Sequence, residues 1–461
     1  MSTDSVDSGT AWLVALVVIV AVAASVAAAV WAYKTIKSRG GTQGAAQAGT
    51  VQAGTQGAAP MANAGRVLQS PQDIPLSNLV VRDPFVPKVR GPLKNKWETQ
   101  QFVVFWDAPL KGKTEAQTLQ AVKDLGQRAE ACWAAYTKAG FVQHNLKQTG
   151  QDKYKKAIFL SGCESQCAAG NPKQEPSFDF QGWESEQTYF SGGFDTAPHE
   201  LGHMRQACSG GFANNVSPAM GAKLGWAWEA AANYMAMCCG VPGVVPEGSA
   251  MEVWFDLHPL SIELWDGKDG YPYGAWPFFL WADTKFGFGT VGKMWSEARR
   301  DAGGTCTELV PECLGRLTGK DLPTLFGDWL ASTLTFSYFK DDPKFAPMVK
   351  AMKLEGGWNA FDTIALEGSR MQATSARPLQ AFGFHALRLD AARFGGKKLR
   401  LDTAVDAPSW RMVVVNAGKQ PQILPAGALS LPIESSGAVL GIITTTRGAL
   451  PKAGAYSVAL I

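Results

Sequence analysis

The sequence predicts an α+β domain, mainly helical in its second half, followed by a C-terminal β-sandwich and preceded by an N-terminal transmembrane helix. Three observations predict this. Residues 11–33 form an apolar run whose only polar side chains are Ser25 and Tyr33, residues 114–339 carry several stretches of helical spacing, and beyond residue 366 short β-branched runs alternate with Gly, Pro, Asp and Asn clusters. A chain of 461 residues is too long for one ordinary domain, and 46% hydrophobic against 18% charged residues describes a chain that buries a sizeable core. Its 43 Lys+Arg and 40 Asp+Glu leave a net charge of only +3, so neither a basic surface for nucleic acid nor an acidic tail is expected.

The leader, residues 1–10, carries Asp4 and Asp7 and no basic residue, unlike a cleaved signal peptide. Residues 11–33 exceed the ~20 needed to cross a bilayer, and Trp12, Trp31 and Tyr33 sit at the ends of the run, where amphipathic rings favour the headgroups. The chain is therefore expected to meet a membrane through residues 11–33 as a single-pass protein. Residues 34–78 follow as a flexible tether rich in Gly, Ala and Gln, with GTQGAA repeated at 41–46 and 54–59. Orientation signals conflict. Lys34, Lys37 and Arg39 after the span favour a cytoplasmic domain. The close pairs Cys163–Cys167 and Cys306–Cys313, in loop-like sequence, read as disulfides and favour an extracytoplasmic or envelope-surface one. The second signal is given more weight.

Residues 79–365 then read as the α+β domain and 366–461 as the sandwich. Residues 101–106 (QFVVFW), 157–160 (AIFL) and 188–194 (TYFSGGF) suit strands. Thr114 with Gln117 makes a capping box for a helix ending at Gly140, whose periodic residues are Leu119, Val122, Leu125, Cys132, Trp133 and Tyr136. Further helices are expected at 221–239, 275–300 and 321–339, the last with Asp321 as N-cap and Pro323 in its first turn. Strands are expected at 386–390, 398–402, 410–416, 440–446 and 456–461.

Two of only five histidines stand four apart in residues 195–208, DTAPHELGHMRQAC. On a helix His199 and His203 share a face and reach one metal ion, while Glu200 lies where a carboxylate takes a proton from metal-activated water. The longer HExxHxxGxxH pattern fails, because Gln206 and Ser209 stand at its last two positions. The third ligand is instead expected from a later helix. Glu229, in the apolar run GWAWEAAANYMAM, is costly to bury unless a cation compensates it. Asn233, one turn on, is placed to hydrogen-bond a ligand imidazole. His258, Tyr271 and Tyr273 are candidate stabilisers of the charge that develops on a substrate carbonyl, and Tyr234 reads as core.

HELGH followed by a second helix with E-x-x-x-N resembles the gluzincin clan of metallopeptidases, which usually has Asp at the last position. More narrowly, HELGHMRQ and GWAWEAAANYMA followed by YGAWPFFLWADTKFG resemble the largely uncharacterised Svx-like family of secreted bacterial virulence proteins. The likeness covers about residues 100–370, touches the β-rich region only in texture, and does not reach the membrane run. It implies a zincin-like domain holding one Zn2+ per chain on His199, His203 and Glu229. It also implies Glu200 as base and proton shuttle, and a strand before the metal helix, here 188–194, that aligns an extended peptide. The sequence thus leads to a membrane-anchored zinc metallopeptidase acting on a peptide or protein substrate. Its rival is a non-catalytic surface, envelope or adhesion protein with a structural or empty metal site.

Overall fold

The computed structural model describes Leu79 and residues 94–461, except 111, 144–151, 162–167, 170–181, 187–195, 213–217, 247, 249, 266–269, 303–304, 341, 375–376 and 449–454. The membrane run, the tether, Cys163, Cys167 and the strand expected at 188–194 lie outside the described residues. No helix among the described residues is long and apolar enough to cross a membrane.

The first layer is a mixed sheet in the order β1-β2-β3-β5-β4. Its strands are β1 (Asn95–Glu98), β2 (Phe102–Trp106), β3 (Lys156–Ser161), β4 (Ala168–Ala169) and β5 (Gly182–Glu186). β2 runs parallel to β3 and β3 to β5, while the short outer strands β1 and β4 are antiparallel to their neighbours. Helix α1 (Glu115–Lys138) makes the crossover between β2 and β3. It begins with the expected reciprocal capping box of Thr114 and Gln117 and buries Val122, Leu125, Cys132, Trp133 and Tyr136; Leu119 stays exposed. Trp133 meets Phe102 of β2 edge to face, at 5.5 Å between ring centroids.

A helical layer follows: α2 (Thr196–Ser209), α3 (Pro218–Cys238), α4 (Met251–Asp256), α5 (Tyr271–Gly274), α6 (Pro277–Phe286), α7 (Thr290–Glu297), α8 (Val310–Thr318), α9 (Leu322–Thr335), α10 (Ser337–Lys340) and α11 (Ala346–Ala351). The single helix expected over 275–300 is two. Gly287 and Gly289 both take positive φ (104° and 97°), a turn that costs glycine little and L-residues much. Asp283 then accepts from the Gly289 and Val291 amides and starts α7. Asp321 caps α9 through the Thr324 amide at 2.7 Å, as expected, but Phe336 turns left-handed and separates α9 from α10. The tryptophan-rich composition becomes a core: Trp226, Trp254, Trp276, Trp281, Trp295, Trp329 and Trp358 are all essentially inaccessible.

The remaining chain forms two four-stranded antiparallel sheets, ordered β11-β10-β12-β8 and β6-β7-β13-β9. They comprise β6 (Thr363–Glu367), β7 (Arg370–Thr374), β8 (Phe384–Leu389), β9 (Leu399–Thr403), β10 (Trp410–Asn416), β11 (Gln422–Pro425), β12 (Ala438–Thr444) and β13 (Tyr456–Leu460), with the one-turn helix α12 (Ala391–Phe394) between β8 and β9. Leu387, Leu401, Trp410, Met412, Ile442 and Val458 from both sheets meet in one core. The opposite face of the first sheet, through Phe384, Val413 and Ile443, joins the helical core. Gly441 makes room there, since a Cβ would stand 2.7–2.8 Å from Leu334 and Leu330 of α9. Residues Ser70–Ile461 accordingly form one compact unit of helices and sheets.

Cys306 and Cys313 do not form the expected disulfide; both are buried free thiols. Each points to a different acceptor: Cys306 Sγ donates to the Glu308 carbonyl at 3.3 Å, and Cys313 Sγ, on α8, faces the Met294 carbonyl at 3.8 Å.

His385 on β8 is buried, with Nδ1 2.6 Å from the Tyr456 hydroxyl. Burial pushes its pKa down to about 4, partly opposed by Asp362. In the unfolded chain it titrates near 6.5, so between pH 6.5 and 4 the unfolded state binds the extra proton and stability falls as pH is lowered. Denaturant unfolding should show this group costing roughly 2 kcal/mol between pH 7 and pH 5. A His385→Gln variant should lose that part of the pH dependence, and an unchanged slope would refute the assignment.

Candidate metal centre

Helix α2 is set in place by its neighbours before any ligand is considered. The Tyr136 hydroxyl of α1 donates to the Pro198 carbonyl at 2.6 Å, fixing its first turn. Arg205 is fully buried, donates from Nε to the Phe141 carbonyl at 2.7 Å, and stacks its guanidinium over Trp133 at 4.5 Å. Between these anchors Gly202 faces α3: a Cβ there would stand 3.3 Å from the Ala232 Cα. The pair Gly202 and Ala232 therefore brings the two helix backbones together, with the ligands on either side.

His199 and His203 lie one turn apart, ring centroids 4.6 Å and planes nearly perpendicular. Their Nε2 atoms converge on one atom, Glu229 Oε2 of α3, at 3.2 and 3.1 Å. The ligand atoms of these three residues all lie within 4.8 Å of one another.

The outer nitrogens decide the proton positions. His199 Nδ1 is 2.7 Å from Asn233 Oδ1, and Asn233 Nδ2 donates to the Tyr273 carbonyl at 3.0 Å. His203 Nδ1 is 2.9 Å from Gln206 Oε1, and Gln206 Nε2 donates to the Trp228 carbonyl at 3.0 Å. Each amide nitrogen is committed to a carbonyl, so each amide oxygen faces a histidine and accepts only. Both Nδ1 atoms therefore carry hydrogen, and in neutral rings both Nε2 atoms present lone pairs. Two lone pairs and a carboxylate oxygen then face each other, an arrangement that calls for a cation. The 3.1–3.2 Å separations are close to the ~3.3 Å edge of a tetrahedron with ligand bonds of about 2.0–2.1 Å. Two imidazoles, one carboxylate and amide oxygens behind the rings fit zinc in donor type, number and orientation.

Burial alone would push the Glu229 carboxyl up; with His203 and His199 protonated and donating to it, the group is held well below the usual carboxylate range, and a metal cation would take the place of those protons. It is ready to ligate as the anion. Trp228 stacks on His203 at 4.9 Å and 11°, closing one side. Tyr273 closes the other, 5.9 Å from His199 at 26°. Burial, then Glu229 and Glu200, raise its hydroxyl pKa, and that hydroxyl is in hydrogen-bonding contact with Glu229. Glu200 thus lies near Tyr273, on the half-open side of α2.

The structure brings together His199, Glu200, His203, Glu229, Asn233 and Tyr273. His258 and Tyr271 do not join them as stabilisers. Both His258 nitrogens are taken, by the Phe255 carbonyl at 2.5 Å and Asp362 at 3.0 Å, in the buried seam with the β-sheets. Tyr271 is buried and its hydroxyl donates to the Leu260 carbonyl at 3.1 Å. Tyr234 is core, as expected, donating to Asp283. Gln206 was legible only as a departure from the longer motif; its place three residues after His203, on the same helical face, was the signal of its role.

The chain is thus an α+β protein of helices, one mixed sheet and two antiparallel sheets, and its helices α2 and α3 carry a His-His-Glu cluster. It belongs to the DUF6055 family, a family of unknown function, whose model matches residues 73–402 and so spans the whole cluster. No curated protein matches it.

Asn233→Ala and Gln206→Ala each release one imidazole. Zinc titration against a chelator should show affinity falling about 10- to 100-fold in each variant, with the fold intact by circular dichroism. Unchanged affinity in both would refute the role given to the amides.

Proposed function

We propose that this protein is a zinc-dependent metallopeptidase of gluzincin type, held at a membrane by residues 11–33, with its folded part extracytoplasmic or on an envelope surface. The observation that carries the reading is the convergence of two Nε2 lone pairs and a carboxylate, with both Nδ1 hydrogens held by amide oxygens. Three protein ligands are the number used in catalytic zinc sites, where a fourth position stays open; structural sites generally close with four.

Zinc bound there would supply Lewis acidity toward a scissile carbonyl and make a water acidic enough to attack it. Glu200, beside the first ligand, takes the proton of that water and passes it to the leaving amine. The Tyr273 hydroxyl is protonated at neutral pH, as a phenol with a pKa of about 10 or above must be, so it can donate to the carbonyl oxygen as negative charge develops. His199 and His203 stay in one tautomer throughout, since Asn233 and Gln206 accept from their outer nitrogens. The zincin-like description of the domain and the role of the β-sheets in positioning substrate belong to this same proposal.

Elemental analysis should find one zinc per chain. Glu200→Gln should keep that zinc and lose peptide cleavage by about 10²-fold or more. Cleavage unchanged in this variant would sink the mechanism, and purified protein without zinc would favour the scaffold instead. Tyr273→Phe should lower kcat about 10- to 100-fold with little change in KM; an unaltered kcat would remove Tyr273 from the mechanism.

A further inference from the structure

Helix α3 is buried on most of its surface, but Gly221, Gly225, Trp228, Glu229 and Asn233 are partly open and recur at helical spacing. They form a single stripe, and Glu229 lies on it. Two described parts of the chain after α4, at Trp265 and at Tyr273, meet that stripe. At its far end the Tyr273 carbonyl accepts from Asn233. At its near end Trp265 lies on Gly225, one turn before Glu229. A Cβ built on Gly225 would stand 2.9–3.1 Å from Cδ2, Cε3 and Cγ of the indole, so the ring rests on the helix backbone. The tryptophans of the helical core are essentially inaccessible, whereas Trp265 is 40% exposed and Tyr273 37%. Glycine seats one part of the indole while another is left open, beside the metal carboxylate.

We infer that Trp265 is a substrate platform, holding an apolar side chain of an extended peptide about two residues from the bond cleaved. The inference rests on the peptidase reading above. Gly225 and Glu229 are separated by about 6 Å along the helix, and an extended peptide advances about 3.3 Å per residue. Glu263, two residues before Trp265, is engaged by Arg447 at 2.7 and 3.1 Å. A planar apolar surface of this kind favours aromatic and branched aliphatic side chains.

The test uses zinc-loaded protein and peptides that carry Phe, Leu or Gly at each position flanking the cleaved bond. The wild type should prefer Phe and Leu over Gly at one position about two residues away. In Trp265→Ala that ratio of kcat/KM should fall about tenfold, with the loss carried in KM. Trp265→Phe should keep most of the preference. Gly225→Val, whose side chain would unseat the ring, should reproduce the loss while one zinc per chain is retained. A preference unchanged in Trp265→Ala overturns this inference and leaves the peptidase reading standing. A zinc-loaded wild type that cleaves none of the peptides overturns both.

Discussion

At Gly202 the backbone of α2 comes so near Ala232 of α3 that a methyl group on the glycine would already be tight. The geometry of the centre depends on that approach. From α2 come His199, His203 and Gln206; from α3 come Trp228, Glu229 and Asn233. Each imidazole touches α3 with both nitrogens, or through an amide that is itself tied to α3. A wider helix spacing would break several of these contacts together, because 3 Å hydrogen bonds tolerate little displacement. The site is therefore a property of the helix pair, and no single helix could orient the rings.

The surrounding core keeps this pair rigid. Buried tryptophans fill the space between α3, α4, α6, α7 and α9, and close packing of large planar side chains leaves little room for sliding. Anchors at the two ends of α2, Tyr136 on Pro198 and Arg205 on Phe141, fix its axis from the α1 side. The β-sheets are joined to the same core through α9, through the buried pair His258 and Asp362, and through Arg447 with Glu263 and Glu312. They pack against the helical core on the face that carries Phe384, Val413 and Ile443. His258 belongs to that packed seam, both of its nitrogens engaged, which accounts for a histidine that the bare sequence could only offer as a catalytic candidate.

Much of the fold was legible wherever a local signal acted alone. The Thr114–Gln117 box, the Asp321 cap and the β-branched runs of β10, β12 and β13 all depend on near neighbours in sequence, and the structure has them. Local signals failed where distant contacts overrode them. The helix expected over 275–300 is divided at Gly287 and Gly289, where Asp283 gains two amide donors and the turn packs on the end of α1. The short strands β6, β7 and β11 each offer only two or three apolar residues and are held by the ladder of a neighbouring strand. Cys306 and Cys313 looked like a disulfide pair by spacing, but spacing does not aim a thiol; each found its own carbonyl.

By itself, the sequence determined the residue types of the cluster. HELGH places two histidines on one helical face and Glu200 beside them, because a helix returns every 3.6 residues. It also singled out Glu229 and Asn233, since a carboxylate and an amide in an apolar helix need a compensating partner. Only the tertiary structure decided which atoms meet. It committed the Asn233 and Gln206 nitrogens to backbone carbonyls, which turned both amide oxygens toward the imidazoles and left the Nε2 atoms facing Glu229. It also left Tyr273 half-open at the cluster and buried His258 and Tyr271. The physical reason is range: periodicity acts within one helix, whereas tautomers and exposure are set by what lies across from it.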